Sequence, residues 1–62
     1  MLKQKKRPRY EVSLQLSDKS IMRIYCYDTV YNPDHNIRFM YDVDFNTICC
    51  TWETNVISVN SI

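Results

Sequence analysis

The sequence predicts an all-β protein of about five short antiparallel strands arranged as a meander. Apolar and polar residues alternate with a period of two along much of the chain, and no segment shows the longer period of an amphipathic helix. The links between the alternating runs are short, which favours antiparallel neighbours because parallel strands need long crossovers. We expect the sheet either to close into a small SH3-like or OB-like barrel, or to stay open and bury one face in a homo-oligomer.

The first two strands are predicted on either side of a polar turn. Residues 9–16 (RYEVSLQL) alternate cleanly, as a half-buried strand does, and residues 17–20 (SDKS) form the turn. The second strand, 21–27, carries apolar residues on one side. Its other side would hold Ile21, Arg23, Tyr25 and Tyr27. That side is not properly polar, which makes it a candidate binding surface.

Residues 28–36 (DTVYNPDHN) are predicted to be the longest connection. Asn32-Pro33-Asp34 is strong turn chemistry, because proline fixes φ and the flanking Asn and Asp bond back to the backbone. Val30 and Tyr31 are expected either to extend a strand or to pack over the rim of the core.

The clearest pattern is a hairpin formed by residues 37–43 and 47–53, joined by Asp44-Phe45-Asn46. One row of side chains is apolar and is expected to face the core: Ile37, Phe39, Tyr41 and Val43 on the first strand, with Ile48, Cys50 and Trp52 on the second. Arg38 and Met40 would then lie on the outside. A last strand, 56–59, follows a turn and is expected to extend the core face.

The chain contains no glycine, although tight turns usually depend on glycine to reach positive φ. Asn and Asp are therefore expected at those positions, since they tolerate the left-handed region best after glycine. The absence of glycine also excludes a glycine-rich phosphate-binding loop.

A chain of 62 residues allows one domain with a thin core. Its three cysteines leave one unpaired, and no secretory signal precedes them, so we expect reduced thiols and a cytoplasmic location, which would be the host cytosol for a phage-encoded protein. No apolar run is long enough for a transmembrane helix, so no membrane partner is expected. Self-association is then the expected source of additional stability.

Charge divides the chain into two parts. Five of the eight basic residues lie in the first nine positions, whereas all seven acidic residues come later, so the two parts carry +5 and −4. We predict a basic flexible N-terminal arm, 1–8, and a single small β domain, 9–62. The arm would either bind phosphates of a nucleic acid or be a solvated tail. The nucleic-acid alternative uses Lys3, Lys5, Lys6, Arg7 and Arg9.

No catalytic or metal site is predicted. His35 is the only histidine and sits in a turn without an evident nucleophile. Cys49 and Cys50 are adjacent in a strand, so their sulfurs would point to opposite faces, and zinc-ligand spacing is missing. We therefore expect a protein that is not an enzyme and has no cofactor.

The strongest candidate for binding is the outer face of the sheet. Its predicted members are Arg23, Tyr25, Tyr27, Arg38 and Met40. Tyr, Met and Arg are enriched at protein interfaces, which favours a partner protein. Tyrosines can also stack on nucleobases while arginines contact phosphates. Packing within a barrel or against a second copy is the structural alternative.

Two segments carry a resemblance to a known group. VSLQLSDKSIMRIYCYD, followed by the closing strand NVISVNSI, resembles a pattern found in short phage and prophage proteins. The resemblance implies a non-enzymatic accessory that binds and blocks or modulates a host protein. The alternative from the residues is a small nucleic-acid-binding β-barrel that uses the basic arm and surface tyrosines.

Overall fold

A computed structural model describes residues 7–62, and within this range the protein is all-β, as predicted, with no α-helix. These residues form six strands, one more than predicted, and one turn of 3-10 helix. These are β1 (Tyr10–Gln15), β2 (Ile21–Cys26), β3 (Asp28–Asn32), β4 (Ile37–Tyr41), β5 (Thr47–Trp52), the 3-10 turn (Glu53–Asn55) and β6 (Val56–Ser61). The strands form two three-stranded antiparallel sheets, which do not close into a barrel in this part of the chain.

Sheet A has the order β2-β1-β6. Val12 on β1 pairs with Ile24 on β2 and with Val59 on β6, so β1 is the central strand. The prediction of a simple meander is wrong for this sheet, because the last strand, β6, pairs with the first strand, β1, and not with β5, which precedes it in the chain.

Sheet B is a meander with the order β3-β4-β5. The prediction that residues 28–36 are a connection is wrong for its first half, because Asp28–Asn32 forms strand β3. Val30 pairs with Phe39, so the β-prone segment Thr29-Val30-Tyr31 is held by backbone bonding to β4. The turn predicted around Pro33 is shorter and joins β3 to β4.

Tyr27 separates the two sheets. Its N–H donates to the Tyr41 carbonyl at 2.8 Å, which joins the end of β2 to the end of β4. Cys26 faces the core on one side of this bend. On the other side, Thr29 pairs with the buried Met40 and so shares its face. The inward-facing residues Cys26 and Thr29 are thus three positions apart. The alternation of inward and outward side chains, which places inward residues two positions apart, is therefore interrupted at the bend.

Among residues 7–62, positive φ occurs at Lys19 (70°), Asn36 (56°) and Phe45 (63°). Asn36 confirms the expectation that Asn or Asp replaces glycine, whereas Lys19 and Phe45 do not follow it. Aspartates instead hold these two turns from neighbouring positions. Asp18 Oδ1 accepts a hydrogen bond from the Ser20 N–H, and Asp42 Oδ1 accepts from two N–H groups around Phe45.

The core is small and lies where the two sheets meet. Its four buried apolar side chains are Val12, Leu14, Cys26 and Met40. Three of them come from sheet A, and Met40 comes from the centre of sheet B. Leu16 and Met22, at the far end of sheet A, remain 40% exposed. The sheets therefore overlap over part of their length, and much apolar surface stays in contact with solvent.

Candidate docking face

The outward side of sheet B carries an apolar surface that is not covered by the rest of the described chain. We call it the open face, and its members are Val30, Ile37, Phe39, Tyr41, Ile48, Cys50 and Trp52. They occupy one side because adjacent strand residues alternate and paired residues share a face: Val30 and Cys50 flank Phe39, and Trp52 flanks Ile37. Ile48 has no partner on β4, because the register shifts between Met40 and Tyr41, and its place follows from alternation along β5.

This arrangement inverts the faces predicted for the hairpin. The row expected in the core lies outside, and Met40, predicted on the exposed binding patch, has 0% exposure. The prediction that Met40 is exposed is wrong for a physical reason. Met40 is long and flexible enough to fill the space beneath the Val12 and Leu14 side chains, where the two sheets meet. Once Met40 points inward, Phe39 and Tyr41 must point outward.

Aromatic side chains dominate the open face. The rings of Phe39 and Tyr41 are stacked at 6.3 Å between centroids, so they shield one another and remain half-buried. Trp52 lies on the edge strand β5 and is 58% exposed, while Val30 and Ile48 are each 48% exposed. The face thus has a covered ring pair at its centre and large exposed side chains along both edges.

The members of the open face are uncharged, but Asp28 pairs with Tyr41 and so lies on the same side at the end of β3, and other acidic residues lie in the turns at the ends of the strands. Asp28 begins β3, Asp34 lies in the turn between β3 and β4, and Asp42 and Asp44 lie in the turn between β4 and β5. The combination is an apolar centre with an acidic rim.

Arg38 points to the inward side of sheet B, beyond the core. Its Nε and Nη2 donate to the Glu53 carboxylate at 2.7 and 3.0 Å, and its Nη1 donates to the Thr29 hydroxyl at 3.2 Å. The guanidinium also lies 5.8 Å from the centre of the Tyr31 ring. The hydrogen bonds between these two side chains lower the pKa of Glu53 and raise the pKa of Arg38. This group links β4 to the 3-10 turn.

Arg23 and Tyr25 lie on the outer face of sheet A, apart from the open face. Tyr25 is 52% exposed, and it pairs across the strands with Glu11. A hydrogen bond with the Glu11 carboxylate raises the pKa of Tyr25. The five predicted binding residues therefore do not form one surface: Arg23 and Tyr25 share a face, Tyr27 is at the bend, Arg38 is in an ion pair and Met40 is buried.

Of the residues in the nucleic-acid alternative, Lys3, Lys5 and Lys6 lie outside the described residues. Arg9 belongs to the folded body, because its N–H donates to the Cys26 carbonyl and its carbonyl accepts from Ile62, each at 2.9 Å. Its guanidinium lies 5.7 Å from the Tyr10 ring and 5.4 Å from the Tyr27 ring. Arg7 is exposed beside it.

The three cysteines occupy different environments. Cys26 is buried and Cys49 is half-buried on the inward side, and burial raises the pKa of both thiols. Cys50 is exposed on the opposite face. Residues 7–62 bring no three His, Cys, Asp or Glu side chains together in a geometry that could hold a metal ion. The same residues include no helix that is long and apolar enough to span a membrane.

Sequence reasoning missed the open face as a functional surface because its members looked like the core. Two signals were present in the sequence. The other row of side chains on β4 contains Met40, which suits a core as well as a surface. The segment Thr29-Val30-Tyr31 also has the composition of a strand. Comparisons with protein families, with curated proteins and with solved structures found no match to this chain.

Proposed function

We propose that this protein is a non-enzymatic accessory of the phage type that binds a host protein through the open face and thereby blocks or modulates it. The observation that carries the proposal is the exposure of Trp52 within a row of uncharged apolar side chains on sheet B. Contiguous exposed apolar surface of this kind is costly in water and marks interaction sites in soluble proteins.

The chemistry of the open face indicates the partner surface that would fit it. Aromatic anchors surrounded by smaller apolar side chains are the usual centre of a protein interface. The acidic rim, with Asp28, Asp42 and Asp44, favours a partner whose apolar patch has basic residues around it. Occlusion of that patch is the mechanism, and it requires no bond to be made or broken.

The strand order supports an SH3-like arrangement as part of this proposal. β2 and β3 follow one another through the bend at Tyr27, so they are equivalent to one bent strand shared by both sheets. The last strand pairs with the first, and a 3-10 turn precedes it. Binding modules of this size work through surface grooves and faces rather than enclosed pockets.

Site-specific photocrosslinking tests the docking face directly. A benzoylphenylalanine placed at Ile48, on the open face, should crosslink a host protein in lysate, and the same group placed at Arg23, on the outer face of sheet A, should not. Capture should resist nuclease and 0.5 M salt, because apolar contacts are screened little by ions. Trp52→Ala should reduce the capture, and Tyr25→Ala, as the matched exposed aromatic control, should preserve it.

Three outcomes would overturn the proposal. Crosslinking from position 23 but not from position 48 would assign binding to the Arg23 and Tyr25 surface. Capture that disappears with nuclease, or that weakens steeply with salt, would favour the nucleic-acid alternative. Capture that is equal for Trp52→Ala and the unmodified protein would remove the open face from consideration.

A further inference from the structure

Strand β5 is an edge of sheet B, and its hydrogen-bonding groups can be assigned from the register. The Glu53 N–H donates to the Asn36 carbonyl at 2.8 Å, and Thr51 pairs with Arg38 and Cys49 with Met40 in the same register. Hydrogen-bonded pairs recur at every second residue of an antiparallel ladder. The odd-numbered residues 49, 51 and 53 therefore bond toward β4, so the N–H and C=O groups of Cys50 and Trp52 point away from the sheet.

The composition of β5 makes this edge suitable for another strand. Its sequence, TICCTW, has no charged residue and no proline, which are the usual means of protecting an edge. The other edges differ. Strand β2 carries Arg23 near its middle, where the charge would come close to its own copy in a symmetric pair, and β3 begins with the charged Asp28. Strand β6 has no charged residue either, and β5 and β6 each have a register shift near their first residues, but β6 contains Ser58, Asn60 and Ser61 and is the more polar of the two.

We propose that two copies of this chain associate through antiparallel pairing of β5 with β5 of the second copy, about a two-fold axis at Cys50. The outward groups of Cys50 and Trp52 allow a two-fold axis at Cys50 or at Thr51. We choose Cys50 because it is nearer to the middle of Thr47–Trp52, so the two strands overlap over more of their length. Cys50 then faces the Cys50 of the second copy, and Trp52 faces its Ile48.

The second copy fits for two further reasons. In the described part of one copy only four apolar side chains are buried, so additional burial stabilises a chain of this size. Pairing at β5 also joins the two B sheets into one of six strands, because each contributes three. The two open faces become continuous across the axis, with apolar residues opposite one another and no like charges in contact. Pairing of the two copies through β5 does not depend on the host partner.

Disulfide trapping tests the register. Residues paired through hydrogen bonds have Cα atoms about 5.5 Å apart, which lies within the range that a disulfide bridges. Diamide, which oxidises two thiols to one disulfide and is itself reduced to the hydrazine, should convert the reduced protein to a covalent dimer on a non-reducing gel. Cys50→Ser should abolish this product, and Cys49→Ser should preserve it.

Sedimentation of the reduced protein over a range of concentrations tests the association itself. We expect a monomer–dimer equilibrium, and Cys50→Lys should weaken it by about five- to tenfold because two like charges meet at the axis. Val30→Lys, on the far edge strand of the open face, should leave the dimer intact while weakening host-protein capture. This pair of variants separates failure of the dimer from failure of the proposed function.

Hydrogen exchange distinguishes edge pairing from packing of the two open faces against each other. The Cys50 and Trp52 amides should exchange slowly at high concentration and quickly after dilution, because only edge pairing bonds their N–H groups. A folded protein that stays monomeric, a dimer that Cys50→Lys does not weaken, or a dimer lost in Val30→Lys would each overturn the inference.

Discussion

The inverted faces of β4 are tested most directly by truncating Met40. Its side chain has 0% exposure and packs in the cluster with Val12, Leu14 and Cys26. Met40→Ala removes the buried atoms and leaves a cavity, and such substitutions cost about 2–5 kcal/mol. A chain of 62 residues has a free energy of unfolding of roughly 3–9 kcal/mol. The variant should therefore lose a large fraction of its stability.

The matched control is Ile48→Ala, since Ile48 is 48% exposed on the open face. It should cost roughly 1 kcal/mol, because about half of the side chain is already in water. With about 4–8 °C of Tm per kcal/mol for a small domain, Met40→Ala should lower Tm by at least ~10 °C, and Ile48→Ala by much less.

Thermal unfolding followed by far-ultraviolet circular dichroism, at one protein concentration low enough to keep each variant monomeric, measures both values. Urea titration of the same samples checks that the slope of the transition is unchanged. Equal losses for the two variants, or a larger loss for Ile48→Ala, would show that Ile48 rather than Met40 faces the core, and the open face would not exist.

The remaining predictions concern the ion pair, a turn and the thiols. Arg38 lowers the pKa of Glu53 below its ordinary value of 4.5, so the stability from this pair is present above that pH and is lost as the pH falls through the lowered pKa. Glu53→Gln should cost about 1 kcal/mol at pH 7, and urea titrations should show the difference from the unmodified protein disappearing in acid. Phe45 is 67% exposed and has φ at 63°, a conformation that Asn adopts more readily than Phe. Phe45→Asn should therefore raise the free energy of unfolding by about 0.5–1 kcal/mol. A decrease in Tm would mean that the ring packs in the turn. Under native conditions, Cys50 should react with a thiol reagent before the buried Cys26, and mass mapping of the labelled peptides that found the reverse order would contradict the packing.

Much of the fold could be predicted because strand formation depends on local patterns. The alternation around Val12 and the polar turn at Asp18 determine β1, β2 and their connection, and the hairpin around Phe45 was placed correctly. Strand β3 was missed because Thr29-Val30-Tyr31 is short and lies beside strong turn residues. Its extended conformation depends on backbone bonds to β4, which are not a local property.

The candidate site was predicted less well than the fold. Of the five expected binding residues, Arg23 and Tyr25 are exposed, whereas Met40 is buried and Arg38 is engaged by Glu53. The Arg38–Glu53 pair links positions 15 residues apart, so no local pattern could reveal it. The open face was hidden by the assumption that the more apolar row of a strand faces the core.

The sequence by itself determined an all-β chain, most of its strands and turns, and the division between a basic beginning and an acidic body. It did so because period, turn chemistry and charge are properties of neighbouring residues. The tertiary structure decided which row of β4 is buried and where the last strand pairs. Both rows of β4 can enter a core, and the row of Met40 is the buried one because its side chain packs in the cluster with Val12 and Leu14 where the sheets meet. The same contact leaves Phe39, Tyr41 and Trp52 facing outward, since side chains on a strand must alternate.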